Sequence, residues 1–256
     1  MSSSVVQLRQ EGSVLVITLN RPEVRNAISK DVAVALAAAL AELDARPDLH
    51  VGIITGAGGT FCSGMDLKAF AAGGDEPAVE GLGFAGMCEA QPRKPMIAAV
   101  EGHAVAGGFE IALACDLIVA ARNASFGLPE VKRGLVASSG GLMRLPRGVS
   151  RNIAMEMALT GDPITAQQAA AYGMVNRLVE PGEALGAAMK LAAQIDANAP
   201  LAVAASKRIV NASRTWRDEE MFALQRPIAT AVNRSADARE GATAFAQKRA
   251  PAWQGR

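Results

Sequence analysis

Apolar runs the length of one strand, separated by turn residues and longer helical stretches, restrict this chain to an alternating α/β architecture. Residues 14–19 form a β-branched run that ends at Asn20-Arg21-Pro22, where proline stops ladder pairing. Residues 51–55, 97–100 and 117–120 are three further buried-strand candidates. Ser29 stands where it can cap a helix through residues 31–43, and a second helix over 107–115 joins the third strand to the fourth. This order predicts mostly parallel pairing with right-handed crossovers. From about residue 184 the pattern turns to helix alone, over 187–195, 201–210, 219–232 and 236–246. The expected layout is an α/β core over 1–195 and a helical region over 196–256, with a soft boundary between 183 and 200. Residues 73–77 and the glycine-rich stretch to Gly86 read as a mobile insertion.

Half of the 256 residues are apolar, enough for a substantial core, so a disordered chain is not expected. Lys and Arg number 26 against 25 Asp and Glu, with no basic block to follow a phosphate backbone, so nucleic acid is not an expected partner. The stretch over residues 1–9 lacks the charged start and long apolar run of a secretory signal. The longest apolar region, 96–121, is interrupted by Glu101, His103, Glu110 and Asp116, each costing roughly 3 kcal/mol or more in a bilayer. No membrane partner is expected, and the location read from these features is the cytoplasm. Cys62, Cys88 and Cys115 are odd in number without C-x-x-C spacing, which suits buried reduced thiols. With only His50 and His103 besides, no metal site is expected, and both histidines read as structural or surface residues.

Several familiar motifs fail. Gly56-Ala57-Gly58-Gly59-Thr60-Phe61 follows a strand, but Phe61 occupies the third glycine position of a dinucleotide fingerprint and no helix opens there. There is no phosphate loop, no G-x-S-x-G elbow and no H-E-x-x-H.

Two stretches hold. In Phe61-Cys62-Ser63-Gly64-Met65-Asp66-Leu67, small residues let backbone amides approach a ligand. In Val105-Ala106-Gly107-Gly108-Phe109-Glu110, a glycine pair opens an apolar helix, so free N–H groups and the positive dipole end meet where an oxyanion can develop. Glu110 lies on the first turn of that helix, and Glu130 follows Pro129 in a loop twenty positions downstream. Two carboxylates beside an oxyanion site can hold and activate a water. They equally suit a helix-dipole partner and a solvated loop residue, and spacing alone leaves the choice open.

Asn20-Arg21-Pro22-x-x-Arg25-Asn26-Ala27, the Ser63–Leu67 turn, Gly107-Gly108-Phe109-Glu110, Phe126-Gly127-Leu128-Pro129-Glu130 and Gly140-Gly141-x-x-Arg144-Leu145 resemble, in that order, the crotonase (enoyl-CoA hydratase/isomerase) superfamily. The likeness continues through Leu159-Thr160-Gly161-Asp162, Gly173-Met174-Val175 and Lys248-Arg249, and so spans nearly the whole chain. Residues 83–86, Arg144-Leu145-Pro146 and the ending Lys248-Arg249-Ala250-Pro251-x-Trp253-x-Gly255-Arg256 are similar to the carnitinyl-CoA dehydratase subgroup.

The resemblance implies a spiral of repeated ββα units with a C-terminal helical oligomerisation region. It implies an acyl-CoA thioester substrate, with coenzyme A entering as part of that substrate and no separate cofactor. Carried over by position, the N–H groups of Met65 and Gly107 bind the thioester oxygen. Glu110 and Glu130 act on water, while Arg25, Ser63, Met65, Asp66, Leu67 and Lys248 contact CoA, Lys248 from this or a neighbouring subunit. Hydration of a 2-enoyl-CoA is the implied reaction. Carnitinyl-CoA dehydration, double-bond isomerisation and a binding protein without turnover are the alternatives. Homotrimers, alone or paired as hexamers, are implied, and Met221, Phe222, Leu224, Ile228 and Val232 are apolar positions one subunit need not cover.

Two positions depart from the family. Ala106 replaces a third glycine, which is tolerated if its backbone conformation is ordinary. Ala137-Ser138-Ser139 replaces a proline-containing stretch beside Glu130 and bears on which acyl group fits; the two serines can bond a polar acyl tail or cap the following helix.

Overall fold

The computed structural model describes residues 4–256, so residues 1–3 of the N-terminal stretch lie outside it. β1 (Val6–Glu11) and β2 (Val14–Leu19) form an antiparallel hairpin, and α1 (Lys30–Ala45) crosses to β3 (Val51–Gly56), parallel to β2. After α2 (Leu67–Ala71) and the small hairpin β4 (Ala78–Val79) and β5 (Gly83–Phe84), β6 (Met96–Val100) adds beside β3. β7 (His103–Val105) and α3 (Gly107–Ala114) lead to β8 (Leu117–Ala121), parallel to β6. There follow β9 (Ser125–Gly127), a 3₁₀ turn at Pro129–Arg133, α4 (Gly141–Gly148), α5 (Arg151–Thr160), β10 (Ile164–Thr165), α6 (Ala166–Ala171) and β11 (Arg177–Val179). β1-β2-β3-β6-β8-β11 make one sheet and β10-β9-β7 a second. α7 (Ala184–Asp196), α8 (Pro200–Ala212), α9 (Met221–Asn233) and α10 (Ala236–Ala246) complete the chain.

The inner strands of the main sheet, β2, β3, β6 and β8, are buried on both faces, which explains why they read as continuous apolar runs, whereas the edge strand β1 is mostly exposed. Leu15, Ile17 and Leu19 of β2 join the core beneath α1, whose Val32, Leu36, Ala39, Leu40 and Leu43 supply the facing stripe. Val14 and Val16 point the other way, with Val51, Ile53, Ile97, Ala99 and Val119, onto Ala184, Ala188 and Ala192 of α7. Those alanines recur every fourth residue, so α7 offers one smooth face and sits close to the strands.

The second sheet turns the alternating pattern into a spiral. Each turn takes a strand in the main sheet, a short extended piece in the second layer, and then a helix. β6, β7 and α3 form one such unit, and β8 and β9 begin the next. Cys62 plays the part of β7 in the preceding unit: it bridges Ala104, accepting from Val105 N–H at 3.1 Å while its own N–H donates to the His103 carbonyl at 2.9 Å. Ile28 bridges Met65 in the same manner one turn earlier.

Most expected elements are present, several with shifted ends, and the β2 and α10 bounds coincide with expectation. Ser29 does occupy the α1 N-cap, but its side chain makes no capping bond. Residues 73–76 are exposed, whereas Ala85, Met87 and Cys88 are buried in the core, so the glycine-rich stretch is only partly a surface insertion. Among the described residues no helix is long and apolar enough to cross a membrane.

Candidate active site

The spiral brings equivalent points of successive turns to one place. Residues 64–66 follow Cys62, Gly107 follows β7, and Glu130 follows β9. Ala106 N–H donates to the Gly127 carbonyl at 2.9 Å, tying the start of α3 to the segment that leads to Glu130.

Gly64 has φ +90, and a Cβ there would lie 2.8 Å from the Ala106 Cβ and 3.0 Å from the Gly107 nitrogen. A side chain is therefore excluded from this turn, which packs directly on the α3 N-terminus. The Gly64 carbonyl accepts from Ile28 and the Asp66 N–H donates to Ile28, leaving the intervening Met65 N–H unused. Gly107, as the first helical residue, has no intrahelical acceptor. Among the described residues neither the Met65 nor the Gly107 N–H has a partner, although Gly107 is buried. Buried unpaired donors are rare in folded proteins, and two side by side are what a developing oxyanion requires.

Glu110 is 3 % exposed and accepts from the Gly141 N–H at 2.9 Å. Burial pushes its carboxyl pKa up, against the Gly141 and Ser139 amides, the Arg144 charge and the Ser139 hydroxyl. Glu130 is half-buried and its Oε2 is enclosed without a hydrogen-bond partner. Burial, followed by the nearby Glu110 charge, raises its pKa to about 7. Glu130 is therefore not the solvated loop residue that its sequence position also allowed.

Ala106 does not have the ordinary conformation its tolerance required. Its φ of 52 and ψ of −133 lie in a region that L-residues seldom occupy. Ala106→Gly is expected to stabilise the fold by about 1 kcal/mol, the relieved strain exceeding the added chain entropy. An unchanged or lower midpoint in chemical denaturation would contradict this. Nor do Ser138 and Ser139 cap α4: Gly140 is the N-cap, with no side-chain bond. Ser139 is instead turned toward Glu110.

The remaining candidate residues divide by location. Arg25 has φ 54 and an exposed side chain, and its carbonyl accepts from Ser63 N–H at 3.1 Å, joining the 21–26 loop to the 63–67 turn. Buried Asn26 fixes that loop, accepting from Arg21 N–H and donating to the Ala57 and Thr60 carbonyls. The Asp66 carboxylate caps α2 through Ala69 N–H and pairs with Arg21 at 3.1 Å. Although burial opposes it, these partners hold its pKa below the usual range. Leu67 opens α2 and is exposed. Lys248 sits beyond α10 with φ 54, exposed, and no described contact joins it to the other candidates.

Cys62 and Cys88 are buried and Cys115 partly so, all three free, and burial raises the Cys62 pKa to about 12. His103 pairs with the Ser125 hydroxyl at 2.8 Å and His50 with Asp196 at 2.5 Å, both as structural contacts. Among the described residues no group of three or more potential ligands gathers to hold a metal ion. Gly141 and Arg144 are residues beside Glu110 to which sequence reasoning gave no role, and Ser139 was given a different one. The signal was a second glycine pair opening a helix.

A ββα spiral whose consecutive turns bring unpaired backbone donors to buried carboxylates defines the crotonase class of α/β fold. The Enoyl-CoA hydratase/isomerase family profile matches residues 9–256, and this chain belongs to that family. It is 46% identical to a carnitinyl-CoA dehydratase of Salmonella arizonae, over 99% of each chain. Among solved structures it is similar to an enoyl-CoA hydratase of Mycobacterium tuberculosis, with a TM-score of 0.97 and 54% identity over 99% of this chain and 100% of that one. A carnitinyl-CoA hydratase of Mycobacterium avium gives a TM-score of 0.79 at 42% identity, with both chains covered fully.

Proposed function

We propose that this chain reversibly adds water to a 2-enoyl-CoA thioester, giving a 3-hydroxyacyl-CoA. The observation that carries the reading is the pair of carboxylates, Glu110 buried and anchored and Glu130 half-buried with an enclosed, unpartnered oxygen, beside two unused backbone donors. A reaction that only moves a double bond manages with one such carboxylate.

In this reading the Met65 and Gly107 N–H groups hold the thioester oxygen as it gains enolate charge. Each such donor is worth about 3 kcal/mol to the transition state. Glu110, in the carboxylate form that accepts from Gly141, takes a proton from the water whose oxygen attacks Cβ. Glu130, whose enclosed oxygen favours the neutral form, delivers its proton to Cα. The proton gained by Glu110 returns to Glu130 before the next turnover. CoA extends over the 21–26 loop and the 63–67 turn, with Lys248 of a neighbouring subunit meeting its phosphates. Coenzyme A enters only as part of the substrate, and no further cofactor takes part. Three free thiols suit a reducing cytoplasm.

The core over 1–195 carries the chemistry and 196–256 mediates assembly into trimers, alone or paired as hexamers. Exposed Phe222, Leu224 and Phe245 on the last helices support this. A monomer in sedimentation at micromolar concentration would contradict it.

The working state is the singly protonated pair, so kcat/KM is expected to form a bell in pH. Its alkaline limb should fall at about pH 7, where Glu130 loses its proton. Loss of conjugated-thioester absorbance with short, long and crotonobetainyl CoA esters measures both profile and substrate. Turnover of none overturns the reading. A preference for the crotonobetainyl ester would select the second reading, carnitinyl-CoA dehydration, which the 46% identical relative favours.

A further inference from the structure

Arg144 is a half-buried cation whose two described acceptors are both carbonyl oxygens. Nη2 donates to the Cys88 carbonyl at 2.5 Å, 56 residues away in sequence, and Nη1 to the Ser139 carbonyl at 3.4 Å. A guanidinium placed this deep normally meets a carboxylate. Here its fork joins two backbone segments.

Each of those segments touches one half of the site. The first is the Ser139–Gly141 turn that opens α4: Gly141 N–H donates to Glu110 Oε1 at 2.9 Å, and Ser139 faces the same carboxylate. The second is the 84–88 loop. Cys88 N–H donates to the Phe84 carbonyl at 3.0 Å, and the Phe84 ring lies so close to Gly107 that a Cβ on Gly107 would approach its Cζ to 2.5 Å. Phe84 thus backs the peptide that carries one oxyanion donor. One side chain spans from the support of the base to the support of the donor, and its charge favours the ionised Glu110.

Resting on the hydratase reading, we propose that Arg144 is a positioning residue. It clamps the Ser139–Gly141 turn to the Phe84–Cys88 loop, so that the Glu110 carboxylate and the Gly107 N–H keep a fixed relation. The charged and titratable groups around Glu110 are Arg144 on α4, Cys88 on the loop and Glu130 on the 3₁₀ turn, with Arg133 acting on Glu130. Arg144 is the cation whose charge favours the ionised Glu110, so its removal should make the base harder to ionise.

The test compares wild type, Arg144→Met and Arg144→Lys in the CoA-ester assay across pH, with a carboxyl ¹³C NMR titration of Glu110 that needs no turnover. Arg144→Met is expected to lower kcat by about tenfold or more with KM within threefold, and to move the acid limb and the Glu110 titration up by about half a pH unit or more. Arg144→Lys, keeping the charge but not the fork, should hold the limb near its wild-type position while kcat stays reduced. A titration and a kcat unchanged in Arg144→Met, or a full wild-type kcat in Arg144→Lys, overturns the proposal. Should the methionine variant fail to fold, the lysine variant alone decides. A wild-type chain that hydrates no 2-enoyl-CoA overturns the hydratase reading, and the NMR titration still judges the clamp.

Discussion

Glu130→Gln is expected to lower kcat for hydration by about 10²–10⁴-fold while KM changes little, because the amide cannot deliver a proton to Cα. The same substitution should alter stability with a defined sign. The fold raises the Glu130 pKa from the ordinary 4.5 to about 7, so it favours the neutral carboxyl. That contribution is complete below the ordinary pKa and is lost as pH rises through about 7. Wild type should therefore lose stability relative to the glutamine variant between those values, and the two should differ more at pH 8 than at pH 5. A variant retaining activity within threefold of wild type would remove Glu130 from the proton path. Melting curves at the two pH values check the stability half independently.

Gly108→Ala is the second large expectation, and it acts on the scaffold. A Cβ at position 108 would collide with the Cys62 carbonyl oxygen and lie 2.7 Å from the carbonyl carbon and 2.8 Å from the Cys62 Cβ. The obstacle is backbone, and it is fixed on both sides: Cys62 N–H donates to the His103 carbonyl and the Cys62 carbonyl accepts from Val105 N–H. Neither partner can yield without breaking the second-layer pairing or lifting α3 from its seat. The expected loss is about 3 kcal/mol of folding stability, at the upper end of overpacking effects. The Gly107 peptide, the proposed oxyanion donor, shifts with the helix, so activity should fall in whatever fraction remains folded. A denaturation midpoint equal to that of wild type would show that α3 does not rest on Cys62 as closely as described.

The architecture was legible where periodicity had room to express itself. β2, β3, β6 and β8 are buried on both faces and read as apolar runs, and the last four helices show their repeats plainly. The second layer was not legible. β7 and β9 have three residues each and Cys62 forms a lone bridge, lengths too short for any period to stand out. α4 was hidden by Pro146 in its interior and by a glycine N-cap, so its role in presenting the Gly141 N–H was missed.

Within the site, the glycine pair before Glu110 announced a helix opening with free donors. The convergence of Glu130 on Glu110 depended on β9 returning beside β7, a long-range pairing that local sequence does not encode. The backbone of Ala106 likewise follows from tertiary context, since nothing in its neighbours requires a positive φ there.

Hydration in water enriched in ¹⁸O, with mass spectrometry of the acyl product, tests the central claim most directly. If the carboxylate pair activates solvent for attack at Cβ, the label enters the 3-hydroxyl group of a 3-hydroxyacyl-CoA. That incorporation should fall by about 10²-fold or more in both Glu110→Gln and Glu130→Gln. Conversion of a 2-enoyl-CoA to an unlabelled isomer, or label uptake undiminished when either glutamate is replaced, would contradict the account.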